Sequence, residues 1–481
     1  FGMFAEAQDF SNKGKEFWLV FPPHQPSGTA QNPSLASLSV YITSDKNSSG
    51  KIEYNGTVQT FTVTANQATE VILNRATSYI LGTESANYYP ISNQSKIVTN
   101  RGIKISVDPD KPAVVVYAHM YAGARSAASL ILPSNVLGKN YYALTWSQNT
   151  LGNQNGELAR SQFSVVAIED NTTLRVNIKR NGNTLNVPIS VTLPKAGDVY
   201  QYQDSFDLSG TFIESIGTSG TSCKRIAVFS GSSALAISTS LNGTGCTNPS
   251  YDPLYQQCYP VNSWGRKYIV APFKGKNKMN YRIIASEDNT IVTFNGANQI
   301  LLPKGTVYTG FSDAVVNNSS RAPLLIESNN PISVAQYSLT QTCDLGLGDP
   351  DMLYLNPVEQ SISDVTVFLS AKQSINEQHI SIYIKNEGTA LTSLKINGAS
   401  PQSSPVSIGT TGYVYFQESF SVNNGSSSSI RLTCDSGFNA IAYGFGSFES
   451  YAYSAGTNVI DLTPPVRLTN EFSDGALNFS A

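Results

Sequence analysis

Acid–base chemistry at neutral pH would have to come from three histidines, His24, His119 and His379. A general base works only with a nucleophile or second titrating group within hydrogen-bond reach. No motif places one beside any of the three: the sequence has no Gly-x-Ser-x-Gly elbow, no His-Glu-x-x-His pair and no phosphate-cradling glycine loop. His119 lies inside the apolar run 113–124 and reads as a packed core residue. His24 sits in a proline-rich loop, and His379 heads a strand-like run. Glycoside hydrolysis needs two convergent carboxyl groups. The acids here mostly fall in turn contexts such as Glu169-Asp170 and Glu287-Asp288, where Asp hydrogen-bonds its own backbone. The expectation is a binding protein without catalytic residues.

Metal chemistry is equally thin. Asp108-Pro109-Asp110 and Gly348-Asp349-Pro350-Asp351 offer the oxygens that calcium requires. Neither follows a calcium-loop spacing, and Asx-Pro turns account for both, so no metal ligand is assigned and calcium is the only cofactor worth carrying. Five cysteines leave one over after pairing, and none has CxxC spacing, which argues against zinc. Cys246 and Cys258 flank a polar, turn-rich segment and are the expected disulfide; Cys223, Cys343 and Cys434 lie apart in other strand-like or loop contexts. Tyrosine is abundant, at 25 residues. Exposed tyrosine supplies amphipathic contact area at low entropic cost. Tyr251, Tyr255 and Tyr259, in the long connection 241–264, are therefore the candidate ligand-binding residues, with Tyr451 and Tyr453 near the end as further aromatics.

The elements that must hold these residues are strands. Leu38, Val40 and Ile42 alternate with polar residues, as do Leu174, Val176 and Ile178, and Ile380, Ile382 and Ile384. This period-two pattern puts one face in a core and the other in water. Asn-Gly turns at 55–56, 295–296 and 397–398 separate such runs. The order of elements also recurs. Apolar or aromatic runs open at Phe17, Tyr141, Tyr268 and Val365; VVAIEDNTT from Val165 is echoed by IIASEDNTI from Ile283, and LPKAGDVY from Leu193 by LPKGTVY from Leu302. The reading is all-β: four tandem, diverged β-sandwich-like repeats over 14–139, 140–263, 264–363 and 364–481, or the same repeats as paired blades of a β-propeller. Residues 1–13 read as a leader remnant, with Ala5 and Ala7 at cleavage spacing, or as an N-terminal strand.

Composition fits an extracellular setting. Charged residues make up 14%, well below the ~25% of typical soluble domains, and Asn, Ser, Thr and Gln wet the surface instead. A net charge of -3 without a Lys/Arg run excludes a nucleic-acid partner. The longest apolar run, 113–124, falls short of the ~20 residues of a spanning helix.

Several ordered motifs resemble a known family. KEFWLVFP from Lys15 to Pro22, LPSNVLGK from Leu132 to Lys139, DPLYQQCYPVNSWGRKYI from Asp252 to Ile269 and DPDMLYLNPVEQ from Asp349 to Gln360 are similar to the N-terminal domain of IgG Fc-binding proteins. The start AQDFSNKGK from Ala7 resembles Bacteroidetes members, often large exported adhesins carried by gliding and secretion machinery. The resemblance implies a secreted or cell-surface adhesion module that binds an extracellular glycoprotein, mucin or polysaccharide. Other subunits of a surface assembly are further expected partners. It implies no catalytic residues, and the matched Trp-Gly, Pro and Gln positions look structural.

Overall fold

The computed structural model of the chain describes residues 10–25, 27–28, 33–82, 96–148, 159–217, 222–238, 250–313, 315–316, 320–321, 323–463, 471–473 and 476–478. Alternating side chains become strands as expected, and the chain is nearly all β with antiparallel pairing throughout its sheets. Three stretches each build two sheets with a matching strand order. In the first, Glu16–Leu19, Ile103–Val107, Ser48–Tyr54 and Thr57–Val63 form one sheet, in that spatial order. Arg125–Ile131, Val115–Ala122, Ser37–Thr43 and Ala68–Ile72 form the other. The pair Asn140–Tyr142, Phe212–Ile216, Thr172–Asn177, Ile189–Leu193 and Asp252–Gln257, Ile226–Leu235, Ser161–Ala167, Val199–Asp204 follows in the second stretch. Lys96–Val98, lent by the first stretch, adds a fifth strand there by pairing with Val199–Gln201. The third repeats the scheme from Lys267–Val270 to Met352–Tyr354. In each, the opening aromatic run pairs with the strand that returns near the end of the unit, Phe17 with Ile105, Tyr141 with Ile213 and Tyr268 with Ile326.

The last stretch joins its strands into one seven-stranded sheet, five of them on a continuous path and two branching from its longest strand. Its long strand Ser427–Gly446 pairs first with Ile362–Ser370 and then with Ile375–Lys385. Gly437, at φ +79°, turns the corner between the two pairings, a conformation that a side chain would strain.

Glycine and proline close each of the first three units in one way. Gly14, Gly138 and Gly265 at the unit starts lie against Pro133, Pro260 and Pro357 at the unit ends. An added Cβ would come within 2.2, 2.4 and 2.3 Å of those rings. Beside two of these clasps, the hydroxyl of Tyr141 accepts from the Gly138 amide and donates to the Ile226 carbonyl. That of Tyr268 accepts from the Gly265 amide and donates to the Ile332 carbonyl. The matched Gly and Pro positions of the sequence are therefore joints.

The four stretches close into a ring around four edge strands: Arg125–Ile131, Asp252–Gln257, Met352–Tyr354 and Glu449–Gly456. Each packs on the next, and the fourth returns to the first. Gln256 ties them together, its Nε2 amide donating to the carbonyls of Ala128 (2.6 Å), Met352 (2.6 Å) and Ala452 (3.1 Å). The first and last stretches also meet through Phe368, whose ring stacks on Tyr41 at 4.0 Å and on Tyr453 at 4.7 Å. Residues 1–9 lie outside the described residues. Asn12 already belongs to the fold, its amide donating to the Thr457 carbonyl at 2.8 Å.

Candidate functional site

A polar cleft of about 420 Å³ opens where the second and third units meet. Its floor is set by Arg282, a buried cation inside the strand Lys278–Ala285. A buried guanidinium needs a partner. Arg282 Nη1 donates to Asp207 Oδ2 and to the Ser209 hydroxyl, both at 2.7 Å, and its Cζ sits 4.4 Å above the Trp146 ring. Asp207 also accepts from the Thr145 hydroxyl at 2.8 Å and the Ser209 amide at 2.9 Å. Burial pushes the Asp207 carboxyl up, yet Arg282 and Ser209 outweigh it and hold it below the usual carboxylate range.

The second unit supplies one wall through Lys179 and the tight turn Asn181-Gly182, both at positive φ. Lys179 Nζ reaches across the joint and donates to the Gly305 carbonyl at 2.7 Å; burial lowers its pKa. The third unit supplies Gly305, Thr306, Val307 and Thr309. Ser147 and Gln148 complete the polar lining. Two aromatic rings stay exposed in the elements that build it: Phe206 at 46%, beside Asp207, and Phe311 at 40%, on the strand of Val307 and Thr309 and edge-on to Trp146. The charged lining residues are Lys179, Asp207 and Arg282, leaving one positive charge over.

A second cluster sits at, or just before, the starts of the hub strands. Arg125, Asp252 and Asp349 each stand eight residues ahead of the clasp prolines Pro133, Pro260 and Pro357, and Glu449 holds the matching place in the last stretch. All four are buried, as is Asp351. Burial, then the charge of Asp349, raise the Asp252 carboxyl well above its ordinary value, with Glu449 and Asp351 adding and Arg125 opposing. Burial likewise raises Glu449 to about 9, Asp349 to about 6 and Asp351 well above normal. Among the described residues no group of three or more His, Cys, Asp or Glu side chains is disposed to hold a metal ion. Asp108 and Asp110 form a surface turn instead, with the Asp108 carbonyl accepting from the Lys111 amide and its carboxylate from the Ser49 hydroxyl.

The three candidate tyrosines do not form a shared platform. Tyr255 is fully buried, its ring 6.0 Å from that of Phe21 and 5.7 Å from that of Phe229, because Asp252–Gln257 is a hub strand covered by its neighbours. Tyr251 lies half-buried under the Arg125 guanidinium, and Tyr259, also half-buried, donates to Asn356 at 2.9 Å. Tyr451 and Tyr453 are core residues as well. The expected bridge from Cys258 is not formed. Its Sγ is a free thiol in the core, 3.3 Å from the Ser230 hydroxyl and 3.4 Å from that of Tyr354, and burial raises its pKa to about 11. Cys246 lies outside the described residues, while Cys343 is disulfide-bonded.

The histidines are structural in their contacts. Burial lowers His24 and His119 to about 3, and His119 Nε2 lies 3.0 Å from the Ser126 hydroxyl, packed among aromatic rings. His379 Nδ1 is 3.0 Å from Ser419, its cross-strand neighbour, while Glu377 stands 3.6 Å from the other ring nitrogen at ion-pair distance. Sequence reasoning missed the cleft. Its signal was Arg282 within the largely apolar run MNYRIIA, a charge that a buried strand must neutralise.

The family model for IgGFc binding protein matches residues 127–444, about two thirds of the 481 residues. No curated protein matches the chain. Among solved structures, a Ca2+-stabilized adhesin that helps an Antarctic bacterium reach out and bind ice is 10% identical; the match covers 94% of this chain and 99% of that one. Its TM-score of 0.11 is too low to carry an argument about fold or function.

Proposed function

The chain belongs to the IgGFc binding protein family, and on that footing we propose that it is a non-catalytic adhesion module, secreted or held at a cell surface, which recognises glycoprotein or polysaccharide ligands. The observation that carries this reading is the cleft between the second and third units. Hydroxyl and amide side chains line it, and the elements that build it carry the exposed rings of Phe206 and Phe311, the mixture that suits a polyol with apolar ring faces. Four tandem units over 14–139, 140–263, 264–363 and 364–481 provide the rigid frame, and a Bacteroidetes-type surface adhesin is the setting we favour. His119, enclosed in its aromatic cage, supports a role without catalysis.

Retention on immobilised mucin and on plant and bacterial polysaccharides, measured by biolayer interferometry, tests the reading. The wild-type chain should be retained on at least one surface. Replacing both rings, Phe206→Ala with Phe311→Ala, should weaken retention by tenfold or more, the worth of about 1.4 kcal/mol of lost ring contact. No retention on any surface would favour a purely structural part of a larger surface assembly.

A further inference from the structure

We propose that the cleft selects anionic saccharides, with Lys179 seating a carboxylate or sulfate while the sugar ring lies toward Phe311. The inference rests on the cleft being the ligand seat and adds the charge of what occupies it. The two cations of the cleft differ in one respect. Arg282 is already neutralised, its guanidinium locked to Asp207 within 2.7 Å. Lys179 is not: its Nζ meets only the neutral Gly305 carbonyl, and no described carboxylate stands within ion-pair distance of it. A partly buried ammonium facing a carbonyl has lost hydration without gaining a counter-charge. Two of its three donor hydrogens remain for an incoming anion. An anion arriving there restores the missing partner, whereas a neutral sugar would displace water from the cation and give nothing of equal strength back.

The surrounding groups fit the rest of a sugar. Ser147, Thr306 and Thr309 bring hydroxyls and Gln148 and Asn181 bring amides, groups that both donate and accept as sugar hydroxyls do. The volume of about 420 Å³ lies within the ~300–1,000 Å³ of small-molecule sites and suits a short stretch of chain. The ammonium is a point charge on a flexible stem, so it accepts carboxylate and sulfate alike.

Isothermal titration of the full chain with tetragalacturonate, its fully methyl-esterified form and a carrageenan tetrasaccharide tests the proposal. The three probes present a carboxylate, no charge and a sulfate. At least one acidic probe should bind tenfold or more tightly than the ester, and which one binds names the anion. Lys179→Met should abolish the preference for acid over ester. Lys179→Arg should retain most of the acid affinity, and circular dichroism should show both variants folded. Equal binding of acid and ester by the wild-type chain would overturn the charge selectivity and leave the cleft as the seat. Acid binding untouched by Thr309→Trp, which fills the cleft, would overturn the cleft as the seat itself. Absence of binding by all three probes would overturn this proposal, and mucin retention would then decide the broader reading alone.

Discussion

Substituting Glu449 by Gln should make the protein less sensitive to alkaline pH. The carboxyl of Glu449 is 1% exposed, and burial together with the negative Asp349 lifts it from 4.5 to about 9, against the opposing pull of the Ala124 and Arg125 backbone and the Arg125 charge. Asp252, Asp349 and Asp351 share its surroundings, and the cations within reach of the cluster are Arg125 and Lys276. A carboxyl whose folded pKa exceeds its unfolded one contributes stability that is complete below the unfolded value. That stability is lost as pH rises toward the folded value. The histidines run the other way. His24 and His119 are held neutral to about 3, so the unfolded chain takes up protons below ~6.5 and stability grows as pH climbs to that point. Between pH 4 and 7 the two effects oppose. From pH 7 to 9 the histidines are spent and Cys258, raised to about 11, has barely begun to act, so the hub acids dominate.

Over those two pH units one retained proton is worth about 2 kcal/mol. Gln keeps the shape of a protonated Glu and has no proton to lose. Unfolding of wild type and Glu449→Gln in urea at pH 7, 8 and 9 should therefore show the wild type losing about 2 kcal/mol more than the variant across the window. Parallel curves would refute the reasoning, because Glu449 would then be ionised in the native state. A gain in wild-type stability on adding Ca2+ at pH 9, abolished by Glu449→Gln, would also refute it, since the carboxylates would then share a cation rather than protons.

Two further outcomes bear on the hub and the cysteines. Gln256→Leu removes the amide that bridges the Ala128, Met352 and Ala452 carbonyls; with buried acceptors left unpaired, urea unfolding should show a loss of roughly 2–4 kcal/mol. Non-reducing peptide mapping should find Cys343 in a disulfide and Cys258 as a free thiol that alkylates only after unfolding, and a Cys258-linked peptide would contradict the core placement.

Strands with one wet face were legible because alternation reports a half-buried sheet: Leu174, Val176 and Ile178 are buried while Arg175 and Asn177 are not. The recurring order of runs was legible for the same reason, as it repeats both the turn chemistry and the face. The hub strands were not. Asp252–Gln257 carries Asp, Pro, Tyr and two Gln, which read as a polar connection, yet all six residues are buried. Its burial comes from the neighbouring units rather than from its own sheet, so period two is lost. That one fact misplaced Tyr255 as a surface aromatic and Cys258 as a loop cysteine. The cleft was hidden differently. Its walls belong to two units, Lys179 in one and Gly305 in the other, and no local pattern brings residues 126 positions apart together.

The hub and the cleft share the joint between the second and third units. Lys179 reaches the third unit across the same joint that Gln256 fastens at the Met352 carbonyl and that Tyr337 fastens by donating to the Thr145 carbonyl at 2.8 Å. At a ligand concentration 100-fold above Kd, occupancy adds about 2.7 kcal/mol to the folded state. That exceeds the roughly 2 kcal/mol that one hub carboxyl withdraws between pH 7 and 9. At saturating ligand the chain should therefore unfold at a higher urea concentration at pH 9 than the free chain does, and equal midpoints would argue against binding to the folded state.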